Sequence, residues 1–211
     1  MSGLWIACAC LLLNASCSHM HQVASWDELM QYVNDPGNGL VQSKKVNGVE
    51  MRVKFMPPDW LAHREIEQHP TYSKAQCDSI LNIYKKSTTF LLTLGPDKEK
   101  TKGDIMFRDV SKIEEYNARA LEMNFSMQEY VTLSTDKGTY TPVLAHLENV
   151  YGLTPGRNVI LVFVPGNEHA APLHESTSIS IAYDDPFFGL GKNYFEFKKA
   201  NIDLIPTLKQ L

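Results

Sequence analysis

Between Val41 and Phe55 the chain reads Val-Gln-Ser-Lys-Lys-Val, then Asn-Gly, then Val-Glu-Met-Arg-Val-Lys-Phe. An Asn-Gly pair accepts the positive φ angles of a tight type I′ turn, whose twist matches that of the strands it joins. Beyond it, Val49, Met51, Val53 and Phe55 alternate with Glu50, Arg52 and Lys54. That period of two predicts a β-hairpin whose second strand has one buried face and one wet face. A lone hairpin is unstable in water, so the rest of the chain must supply strands or helices to cover the apolar face.

Helix signals surround the hairpin. Ser25 and Glu28 make a capping box for a helix carrying Trp26, Leu29, Met30 and Val33, with Asp35-Pro36-Gly37 ending it. Pro57-Pro58-Asp59 breaks the second hairpin strand, and a short helix follows over Trp60 to Glu67. Ser73 and Gln76 cap a helix through Lys86, on which Cys77, Ile80, Leu81 and Tyr84 share a face, so Cys77 reads as a buried, inert thiol. Ser111 and Glu114 cap a long helix with Ile113, Tyr116, Ala120 and Leu121 facing inward, and Thr141 to Val150 reads as a helix with Pro142 in its first turn.

Strands are expected over Ser87 to Leu94 and late in the chain, over Tyr130 to Leu133, Asn158 to Val164, Thr177 to Tyr183 and Tyr194 to Phe197. Gly95 to Asp104 reads as a charged, solvated loop, and Gly189-Leu190-Gly191 as the turn before the last strand. Helices interspersed with an early hairpin, and strands clustered late, predict one α+β domain over residues 25 to 211, with a mainly antiparallel sheet and about four helices. The chain has 211 residues, 44% hydrophobic and 21% charged, which suits a packed domain and disfavours disorder or a coiled-coil rod.

At the N-terminus, Leu4 to Leu13 is an uncharged apolar run, covering about half of a ~30 Å hydrocarbon core. It is followed by Leu-Asn-Ala-Ser-Cys at Leu13 to Cys17. This order resembles the lipobox of bacterial lipoproteins, with Ala15 and Ser16 at the small positions. The resemblance implies a leader over residues 1 to 17, acylation of the Cys17 thiol, and residues 18 to 24 as a tether. The expected location is the bacterial cell envelope, on the outer membrane or cell surface rather than the inner membrane. A plain cleaved signal or a buried N-terminal segment are the alternatives. With Cys8 and Cys10 lost with the leader and Cys17 acylated, only Cys77 remains, so no internal disulfide is expected.

Basic and acidic residues number 20 and 24 and are interleaved, as in Asp97-Lys98-Glu99-Lys100, which disfavours nucleic acid as a partner. No serine-hydrolase elbow, phosphate loop or dinucleotide fingerprint occurs. Two polar groups remain as candidate sites. His146, Glu148, Glu168, His169, His174 and Glu175 are residue types that bind metal, although no common ligand spacing links them. Asp184-Asp185-Pro186-Phe187-Phe188 places adjacent aromatics in a turn, either as a recognition tip or folded back onto the core.

These features favour a non-enzymatic interaction or assembly module, a subunit of an envelope machine, held to the membrane by lipid and bound to other envelope proteins. The alternative is an envelope hydrolase using the region of His146, His169 and His174. No cofactor is expected.

Overall fold

The computed structural model describes residues 22–23, 25–100, 102–149, 153–167 and 170–208. The leader, Cys17, Glu168 and His169 lie outside the described residues. In chain order the elements are β1 (Gln22–Val23), α1 (Trp26–Asn34), β2 (Val41–Val46), β3 (Val49–Met56), α2 (Pro58–Glu67), α3 (Lys74–Lys85), β4 (Thr88–Pro96) and α4 (Ile113–Phe125). They continue with β5 (Val131–Thr135), β6 (Gly138–Tyr140), β7 (Leu144–Leu147), β8 (Arg157–Phe163), β9 (Ser178–Asp185), β10 (Gly191–Lys198), α5 (Lys199–Asp203) and β11 (Thr207–Leu208).

Asn47 and Gly48 take φ angles of 49° and 74°, as the I′ turn requires, and β2 pairs with β3 from Val46↔Val49 to Val41↔Lys54. β3 then pairs with β4, and β4 with β8, so that Phe55, Phe90 and Leu161 fall in one row and Val53, Leu92 and Val159 in the next. All are buried. β7 completes an antiparallel sheet in the order β2-β3-β4-β8-β7. A second antiparallel sheet, β10-β9-β5-β6, turns Val131, Leu133, Ile179, Ile181, Tyr183, Phe195 and Phe197 toward the first. The two inner faces form one core, bridged by Phe90 and Phe197 with ring centroids 5.0 Å apart. This is a single α+β domain with mainly antiparallel sheets, as the sequence predicts.

Helices cover what the sheets leave open. The capping boxes at Ser25/Glu28 and Ser73/Gln76 are both formed. α1 buries Leu29 and Val33. α2 begins at Pro58, two residues earlier than expected, because proline is well suited to the first helical turn. α2 and α3 pack together beside the outer face of the five-stranded sheet, where the Lys54 ammonium sits 4.5 Å from the Trp60 ring centroid. Among the described residues no helix is long and apolar enough to cross a membrane.

Several expectations need correction. The Thr141 to Val150 segment contains strand β7 rather than a helix, because Leu144 to Leu147 pair with β8. The cap of α4 is Lys112, and the Ser111 N–H donates 2.8 Å to the Glu115 carboxylate, leaving Glu114 out of any box. Ile113 and Leu121 are exposed, and the inward face is Tyr116, Ala120 and Met123. Cys77 is half-buried, because α3 buries no residue completely. Asp97 is buried within the expected solvated loop, ion-paired to Lys45 at 3.0 Å. Gln22–Val23, in the expected tether, form β1.

The sandwich has two distinct ends. At one, β1 pairs in parallel with β11, and Phe55 and Thr207 line the same cavity. At the other, the β2–β3 turn meets the β9–β10 turn through Asn47 Nδ2, which donates 3.0 Å to the Gly189 carbonyl.

Candidate functional site

The Asp184 to Gly191 turn is organised by one carboxylate. Asp185 accepts from the N–H groups of Phe187 (3.3 Å), Phe188 (2.8 Å) and Leu190 (3.0 Å), and from the Tyr183 hydroxyl (2.8 Å). Burial, helped by the charge of Asp185, pushes the Tyr183 phenol far above its ordinary value. The turn curls around this acceptor, so Phe188 is buried and Phe187 half-buried, edge-on to Tyr130 at 6.1 Å. Asp184 is exposed. The two aromatics are therefore folded back onto the core and form no exposed tip; the self-packed alternative is the one the molecule adopts.

The histidines are dispersed. His146 lies on edge strand β7 opposite Ile160, and Ile160 lies opposite Leu91, on the face away from the core. Glu148 accepts 2.9 Å from Asn158 Nδ2. His174 belongs to the other face, at the β1–β11 end: its Nδ1 lies 3.0 Å from Thr88 Oγ1, which also accepts from its backbone N–H at 3.0 Å. Burial lowers the His174 pKa, partly offset by Glu175 and the Ser87 carbonyl. His146 and His174 are not brought together, and among the described residues no group of three or more His, Cys, Asp or Glu could hold a metal ion.

The feature that sequence reasoning missed is the outer face of α4. Arg119 donates to the carbonyls of Met106 (3.0 Å) and Arg108 (2.7 Å), and its guanidinium lies 4.9 Å from the Phe188 ring centroid. Arg108 in turn donates to the Asn47 carbonyl. These bonds hold α4 near the end of the sandwich opposite β1 and β11, where the helix also packs beside edge strand β7. With Met123 buried below, Ile113, Leu121 and Phe125 are left 60, 60 and 71% exposed, and Phe107, stacked on Tyr116, is 60% exposed. Ile113, Asn117, Leu121 and Phe125 are spaced by four and form one drifting stripe. The signal was present: α4 has apolar residues on more faces than one packed face needs.

No family model matches the chain, and no curated protein matches it. Among solved structures, the chain is similar to a crystal structure of a protein of unknown function from Burkholderia pseudomallei, with 12% identity and a TM-score of 0.38 over 84% of this chain and 85% of that one, a likeness too distant to bear on function.

Proposed function

We propose that this chain is a non-enzymatic interaction module of the bacterial envelope, lipid-anchored through Cys17 on the outer membrane or cell surface, that engages another envelope protein through the outer face of α4. The observation that carries the reading is the set of large apolar side chains, Phe107, Ile113, Leu121 and Phe125, 60 to 71% exposed on and beside one helix. Large apolar side chains held in water next to one another mark association surfaces, and a helix that presents them at four-residue spacing fits a groove in a partner. The face lies at the end of the sandwich away from β1, so a chain held at residue 17 presents it outward.

Two measurements test this. Mass spectrometry of the mature N-terminus is expected to find acylated Cys17, and Cys17→Ala to release the protein from membranes or leave it unprocessed; an unmodified N-terminus downstream of Cys17 refutes the anchor. Leu121→Asp with Phe125→Asp is expected to leave the melting temperature within a few degrees of wild type, since neither side chain is buried, and to weaken photo-crosslinking from position 117 to its envelope partner about tenfold or more. Unchanged crosslinking by the folded double variant refutes the surface.

A further inference from the structure

We propose that the cavity at the β1–β11 end binds an apolar α-amino acid, or an equally small apolar zwitterion, with its carboxylate met by Lys85 and its ammonium by Asp59 and Glu175. This is independent of the α4 reading, since it concerns the other end of the molecule.

The cavity holds about 370 Å³ and lies between the end of β3, the start of α2, the Pro172 to Glu175 segment and the α5–β11 connection. That volume is within the range of about 300–1,000 Å³ usual for small-ligand sites. Pro57, Pro58, Pro172 and Pro206 contribute to its wall. Each fixes its own φ, so much of the wall is rigid before any ligand arrives, and little ordering is needed on binding. Ile202 and Ile205, both half-buried, add apolar surface suited to a hydrocarbon side chain.

The polar groups are few and carry both signs. Lys85, in the last turn of α3, lines the cavity together with Asp59, Glu175 and Asp203. Asp203 is already paired with Lys199. Lys85, Asp59 and Glu175 border the same space yet form no ion pair with one another. Opposite charges lining one cavity without pairing with each other can each meet the complementary end of a ligand. A purely anionic ligand would meet the carboxylates, and a purely cationic one would leave Lys85 unused; only a zwitterion meets both. His174 completes the wall, tied by Nδ1 to Thr88, and its lowered pKa keeps it neutral, so it adds no charge against an incoming ammonium.

Titration calorimetry on the full chain with L-leucine, L-leucinamide and 4-methylpentanoate separates the contributions of the two charge signs. L-leucine is expected to bind saturably with a dissociation constant of about 1 mM or lower, and each single-ended analogue at least ten times more weakly. Lys85→Met should remove the preference for leucine over leucinamide while leaving leucinamide unchanged. Glu175→Gln should weaken leucine and leucinamide together while leaving 4-methylpentanoate unchanged. Both positions are exposed, so the fold tolerates the changes. Absence of saturable heat with leucine, an analogue that binds as tightly as leucine, or variants that leave the discrimination intact would each overturn the assignment.

Discussion

Replacing Asp185 by alanine takes the acceptor from four donors at once. The Phe187 N–H, at 3.3 Å in a half-buried residue, can turn to water and contributes little. The other three cannot: Phe188 and Leu190 are 7% exposed and Tyr183 is fully buried. A buried donor left without a partner costs about 1–3 kcal/mol. At about 1.5 kcal/mol each, the three sum to about 4.5 kcal/mol, and water entering the opened turn trims this to about 3–4. For a domain of this size the melting temperature should fall by about 6–16 °C. Urea denaturation followed by circular dichroism measures the loss directly. Tyr183→Phe removes one donor and leaves the carboxylate its three N–H partners, so it should cost about 1 kcal/mol, and the double variant should cost about 1 kcal/mol less than the sum of the singles. A loss below about 1 kcal/mol for Asp185→Ala would show that the carboxylate is solvated and that the turn is held by its aromatics alone.

Two further outcomes follow from the backbone and from His174. Gly48→Val should destabilise the domain by about 1–2 kcal/mol in the same denaturation assay, because a β-branched residue resists a φ of 74°; an unchanged midpoint would mean the turn adapts. Burial depresses the folded-state pKa of His174 below its unfolded value of about 6.5, so the unfolded chain takes up the proton first and stability should decline as pH falls below about 6.5. His174→Gln should flatten that part of the stability profile between pH 7 and 5, and a profile identical to wild type would assign the acid sensitivity elsewhere.

What could be read in the sequence was local. Asn47-Gly48 and the capping boxes at Ser25 and Ser73 specify their own geometry within a few residues, and each is formed. The strand at Leu144 to Leu147 could not be read this way, since only four residues pair and the partner lies beyond a loop. Pro142 suits the entry to an edge strand as well as the first turn of a helix. The burial of Asp97 depends on Lys45, more than fifty residues earlier, and no local pattern announces it. At the candidate sites, Asp185 two residues before an aromatic pair was a legible turn signal, because an Asp side chain readily accepts from backbone N–H groups just ahead of it. Which of the two fates of Phe187 and Phe188 it imposes could not be read locally, since the core they fold onto is built from other strands. The α4 face was missed for the opposite reason: periodicity finds apolar positions, but which set faces the core is decided by Arg119 lying over Phe188 and Met123 entering the core, contacts with residues far away in the chain.

The pairing of Gln22 with Thr207 puts the first and last described strands side by side. For a chain held by its N-terminal segment, this makes the domain a stand-off post. Its nine-residue strand β4, rising about 3.3 Å per residue, runs the length of the sandwich and separates the two ends by about 30 Å. A partner on α4 would be met that far from the attachment point, clear of lipid headgroups, whereas a tag or fusion added at the C-terminus would emerge beside the bilayer and crowd it.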